Sequence, residues 1–160
     1  MIKLISNTEL ENLTHNATKS ERQRAHLNVH DSLDANVQRL FIATEPDTYM
    51  RPHRHPEPHK WEFLTVLTGE IDLMVFDDNG TLTMRETLSQ TGIRSVEIPP
   101  NTWHAYVCKL SKTSVLEVKE GAYIPTEPED FAPWSPAENS AGAKTYLEWM
   151  RDATLGSKYK

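Results

Sequence analysis

Short apolar runs with two-residue alternation dominate the middle of the chain, and turn residues separate them. Residues 37–44 (VQRLFIAT), 61–67 (WEFLTVL), 70–77 (EIDLMVFD), 81–88 (TLTMRETL), 94–98 (RSVEI), 103–110 (WHAYVCKL) and 113–120 (TSVLEVKE) each read as a strand. Residues 25–30 (AHLNVH) add another, with His26, Asn28 and His30 on one face and Leu27 and Val29 on the other. Asp78-Asn79-Gly80 between two of these runs predicts a hairpin, because Asn-Gly accepts the positive φ values of tight turns. Strands at this spacing, without helical periodicity between them, predict an antiparallel sandwich or barrel.

Helical signals are confined to the two ends. Thr8 and Glu11 have capping-box spacing, so residues 8–17 predict a short helix with Leu10 and Leu13 on one side. Residues 20–24 predict a helical turn or an irregular segment, and residues 131–136 (FAPWSP) and 136–144 read as loop. Residues 143–153 predict a second helix with an apolar stripe of Tyr146, Trp149 and Met150. The resulting division is an N-terminal extension over 1–36, a barrel over 37–124 and a C-terminal loop and helix over 125–160.

At 160 residues the chain is long enough for one core without staples. Its lone cysteine, Cys108, excludes an internal disulfide framework and CxxC-type zinc clusters, and fits a reducing compartment. The start of the chain turns polar after five residues, and no apolar run reaches the ~18 residues of a membrane span, so a cytoplasmic protein is expected. A net charge of −6 with scattered basic residues offers no stripe for nucleic acid.

The candidate chemistry lies in residues 50–69 (MRPHRHPEPHKWEFLTVLTG). In extended chain His53 and His55 share a side, so their imidazoles can converge on one cation. A solvated, proline-stiffened loop accounts for the same spacing. Strand parity places Glu62 with Leu64 and Val66, and groups His104 with Tyr106 and Cys108.

His53-x-His55, Glu62 and Gly69, followed by Pro99-x-Asn101-x-x-His104, resemble the two-part signature of the cupins, which are jelly-roll barrels of the double-stranded β-helix type. The resemblance implies a mainly β fold and one divalent transition metal per chain (zinc, iron, manganese or nickel), held by His53, His55, Glu62 and His104. Six residues, Pro56 to Trp61, separate His55 from Glu62, more than the family usually has, which makes His59 the alternate ligand. The register from Glu62 to Gly69 favours Glu62. Asn101 stands where the family has a turn glycine, and Cys108 where it often has asparagine. Cys108 reads as a small buried side chain.

Tyr49-x-x-Pro-His-Arg-His-Pro56, the 26–30 segment and Phe131-Ala-x-Trp134 are further similar to the WbuC family of cupin-fold metalloproteins, over roughly residues 5–138. That resemblance implies a setting in bacterial surface-polysaccharide synthesis and a sugar-derived small-molecule ligand. Isomerisation or epimerisation is the first reaction class, iron-dependent dioxygenation the second, and non-catalytic ligand binding the third. Arg51, on the parity of His53, and Tyr106, near His104, are the candidate substrate contacts. Trp61 and Phe63 fall on positions that the interior does not need, and a homodimer through outer sheet faces is expected.

Overall fold

The computed structural model describes residues 2–160. Eight strands run in order: β1 (Arg24–Asn28), β2 (Val37–Thr44), β3 (Glu62–Thr68), β4 (Glu70–Phe76), β5 (Leu82–Ser89), β6 (Ser95–Ile98), β7 (Trp103–Cys108) and β8 (Thr113–Glu120). Helix α1 (Asn7–Lys19) precedes them, and a 3-10 turn (Pro128–Asp130) and helix α2 (Ala143–Asp152) follow. All strand pairs are antiparallel, in a five-stranded sheet ordered β1-β2-β8-β3-β6 and a three-stranded sheet ordered β5-β4-β7. The expected mainly β architecture with a helix at each end is the one found.

Alternation decides which residues face inward. On β3, Glu62, Leu64 and Val66 are buried while Phe63, Thr65 and Leu67 are less so. The interior between the sheets is closed by Ile42, Leu64, Val66, Ile71, Leu73, Tyr106 and Val115. Every residue of β7 is buried, because its second face packs beneath α2. There Trp103, Ala105 and Val107 meet Tyr146, Leu147 and Met150. Leu13 and Ala17 of α1 cover Ala43 and its neighbours on the opposite side of the molecule.

Local chemistry shifts some boundaries. The capping box is formed by Ser6 and Glu9, two residues before the expected Thr8–Glu11 pair: Glu9 N–H donates to Ser6 Oγ, and Ser6 N–H donates to Glu9 Oε2. Residues 20–23 form the irregular segment, and β1 then begins at Arg24. At the β4–β5 turn only Gly80 has positive φ (+83°); Asn79 does not, since Asp77 Oδ1 accepts the N–H groups of Asn79 and Thr81 and shapes the turn itself. Asn101 adopts φ +58°, the left-handed conformation expected where it replaces glycine.

Candidate metal centre

The 51–55 segment is extended and pinned along both sides. His53 exchanges two backbone hydrogen bonds with His104 at the start of β7, 3.0 Å from His53 N–H to the His104 carbonyl and 2.9 Å in return. Arg54 N–H donates to the Asp130 carbonyl, Ala132 N–H to that of Pro52, and Asn101 N–H to that of His55. On the side away from the histidines, the Arg54 guanidinium lies 4.4 Å from the Trp103 ring centroid and pairs with Asp130. Glu62 opens β3 between Ile98 of β6 and Lys119 of β8. The longer connection before it is absorbed as a turn, in which Lys60 N–H donates to the Glu57 carbonyl, so the strand register is undisturbed.

These elements bring one donor atom from each of His53, His55, Glu62 and His104 within 4.8 Å of one another. Metal–ligand bonds of about 2.1 Å would separate such donors by up to about 4.2 Å, so the four need close only slightly around an ion. Two imidazoles are already oriented for it. His53 Nδ1–H donates to the Arg51 carbonyl (3.0 Å) and His104 Nδ1–H to the Thr102 carbonyl (2.8 Å), which leaves both Nε2 lone pairs facing the cluster. His104 Nε2 is buried without a hydrogen-bond partner, 3.7 Å from Glu62 Oε2, and His55 Nε2 lies 3.0 Å from the same oxygen. An orphaned, buried imidazole nitrogen aimed at a carboxylate and two further imidazoles fits a metal ion.

The charges are strongly coupled. Burial, reinforced by the neighbouring His104, lowers the His53 pKa to about 3. Burial opposes ionisation of Glu62, but the close imidazoles of His104 and His55 outweigh it and hold the carboxyl well below its usual range. For His104 burial likewise disfavours charge, and the Glu62 carboxylate reverses the balance and raises it.

The cluster opens onto a cavity of about 370 Å³ lined chiefly by the inner face of the larger sheet. Tyr106 lies in its wall, with a buried hydroxyl lacking a partner and a pKa raised by burial. His26, Asn28 and His30 also line it. Arg51 is placed elsewhere. Its guanidinium donates to Ser135 Oγ and to the carbonyls of Ala132 and Ser135, and lies 4.9 Å from the Phe131 ring centroid, so it ties down the C-terminal segment. His59 is exposed in the turn before β3, outside the cluster. Cys108 is buried against the Thr44 and Leu110 carbonyls, and burial pushes its thiol up to about 11.

Sequence reasoning did not single out Glu117 and Lys119, which face the cavity from β8 and pair at 2.8 Å. The signal was their parity with the buried Val115. Burial and then the Glu62 charge raise the Glu117 carboxyl to about 7.

Two antiparallel sheets around a His₃Glu cluster define a cupin-type fold with a possible metal site. The chain belongs to the family described as Domain of unknown function (DUF6016), whose model matches residues 5–88. Among solved structures, it is similar to a conserved protein of unknown function from Streptococcus pyogenes (10% identity, 78% of this chain and 91% of that one, TM-score 0.52). It is also similar to a cupin superfamily protein from Desulfitobacterium hafniense (15% identity, 63% and 80% covered, TM-score 0.50). At these identities the likeness concerns the fold. No curated protein matches the chain.

Proposed function

We propose that this chain is a metal-dependent enzyme acting on a sugar-derived small molecule by isomerisation or epimerisation, in the setting of bacterial surface-polysaccharide synthesis suggested by its WbuC-like motifs. The observation that carries the reading is the convergence of His53, His55, Glu62 and His104 beside a cavity of about 370 Å³ with both polar and apolar lining, at the small end of the range for small-molecule sites. A divalent ion held by these four side chains would supply Lewis-acid polarisation of a substrate carbonyl or hydroxyl. The protein's part is to orient the ligand and to handle a proton. Glu117 is a cavity carboxylate outside the cluster, and its pairing with Lys119 holds it facing the ligand space. It is placed to accept a proton from carbon next to the polarised group.

The test begins with elemental analysis of protein purified without chelator or a nickel column, and about one transition metal per chain is expected. A panel of sugars and sugar phosphates is then incubated in D₂O under air and under nitrogen, with NMR reporting exchange of the proton next to the carbonyl. Metal-dependent exchange in both atmospheres supports the proposal. Consumption of substrate only under air would replace it with dioxygenation, and stoichiometric metal without turnover would reduce the protein to a binding module.

A further inference from the structure

The charges that line the cavity neutralise one another. Arg24, 7% exposed, donates to Thr48 Oγ1 and the Tyr49 carbonyl and pairs with Glu138 at 2.6 Å. Arg22 holds the same carboxylate through two nitrogens, at 3.1 and 3.0 Å. Lys119 pairs with Glu117 at 2.8 Å, and Glu62 belongs to the metal cluster. Among the described residues, every lysine and arginine of the lining therefore has a carboxylate partner. A phosphate or carboxylate placed against this wall would compete with those partners and leave one of them without its cation.

What the wall leaves free near Arg24 is uncharged. Tyr106 is 4% exposed, and its hydroxyl is buried in the lining without a partner. A buried polar group in that state calls for a partner from the ligand. A phenol hydroxyl both donates and accepts, as the hydroxyl of a sugar does. Around it the lining is apolar: Leu40, Ile42 and Met50 belong to the same packed cluster as Tyr106 and offer a surface to C–H groups. Tyr106 follows His104 by two residues on the same face of β7, roughly 7 Å along the strand. A hexose whose carbonyl end meets the metal cluster has the length to bring its far hydroxyl to Tyr106.

We propose that the ligand is an uncharged hexose, neither phosphorylated nor oxidised to an acid at the end remote from the metal, and that its terminal hydroxyl is held by Tyr106. The assignment rests on reading the His₃Glu cluster as a metal centre that takes the carbonyl end. The test is isothermal titration of zinc-loaded protein with glucose, galactose and mannose and with the 6-deoxy and 6-phosphate counterpart of each, with zinc content measured on the same samples. At least one parent sugar binds, and both of its counterparts bind at least about tenfold more weakly. Tyr106→Phe retains zinc and binds the 6-deoxy sugar as wild type does, but loses the preference for the parent, a coupling that a merely structural tyrosine would not show. Binding of none of the three parents, a 6-phosphate bound as tightly as its parent, or a preference over the 6-deoxy sugar that survives in Tyr106→Phe overturns the proposal. If wild-type protein holds no zinc, the metal-centre reading falls by itself. The same titrations on metal-free protein then decide the far end: a Tyr106-dependent preference for the parent sugar sustains it, and no preference overturns it.

Discussion

A one-residue slip at Glu62 would turn its carboxylate from the cluster to the outer face, so the turn over residues 57–60 is what preserves the site. Glu62→Gln should therefore weaken metal affinity at least about tenfold, and the exposed His59→Ala should change it far less, measured by competition with a chromogenic chelator. Replacing His53 and His55 together by Ala should abolish stoichiometric binding. Gly69 is a separate constraint: it has φ +77°, and a Cβ there would meet Thr113 Cα at 2.8 Å. Gly69→Ala should lower stability by about 1–3 kcal/mol in denaturant titration. At this scale strand parity and motif spacing made His53, His55, Glu62 and His104 legible in the sequence. Glu117 and Lys119 were hidden because a charged pair on an otherwise apolar parity reads as surface until its partner strands are known. Arg51 misled for the converse reason: parity gives the side on which a side chain leaves the backbone, and its long stem then reaches residues 131–135, which lie far off in sequence.

Seven of the eight strands follow from alternation and turn residues to within about two residues, and β1 from its shorter pattern. What alternation does not disclose is how the elements are fastened. Arg85 on β5 donates to Asp72 on β4 and to the carbonyls of Met150, Arg151 and Ala153, so it fastens the C-terminal end of α2 to the smaller sheet. Thr87 Oγ1 donates to the other oxygen of Asp72 at 2.6 Å. Burial works against the Asp72 charge, yet the hydrogen bonds from Thr87 and Arg85 prevail and its pKa falls below 3.8. A depressed carboxylate contributes stability that is present above the unfolded-state value and is lost as pH falls through the folded-state value. Asp72→Asn should accordingly be less stable than wild type by about 1–3 kcal/mol at neutral pH. The gap should shrink as the pH is taken below 3.8, followed by urea unfolding across an acid series. A gap independent of pH would mean that packing, and not ionisation, is what Asp72 supplies.

For the molecule as a whole, an ion bound only by the folded chain adds stability by mass action, so a chelator should lower the melting temperature of metal-loaded protein and leave the His53/His55 double variant unchanged. The expected assembly is a homodimer, for which light scattering should return twice the chain mass across micromolar concentrations. Of the outer-face residues that prompted this, Trp61 already spends its indole N–H on Glu120, which leaves Phe63 as the freer surface. The backbone bridge between His53 and His104 has a consequence for the order in which the chain assembles. About fifty residues, including four complete strands, separate the two histidines, and their union must wait until that long loop has closed. An ion captured between them would act as a reversible cross-link, so metal added to a refolding solution should slow unfolding much more than it speeds folding. The amide protons of His53 and His104, each locked in the bridge, should then be among the slowest in the chain to exchange with solvent when the ion is present, and should quicken together when it is withdrawn.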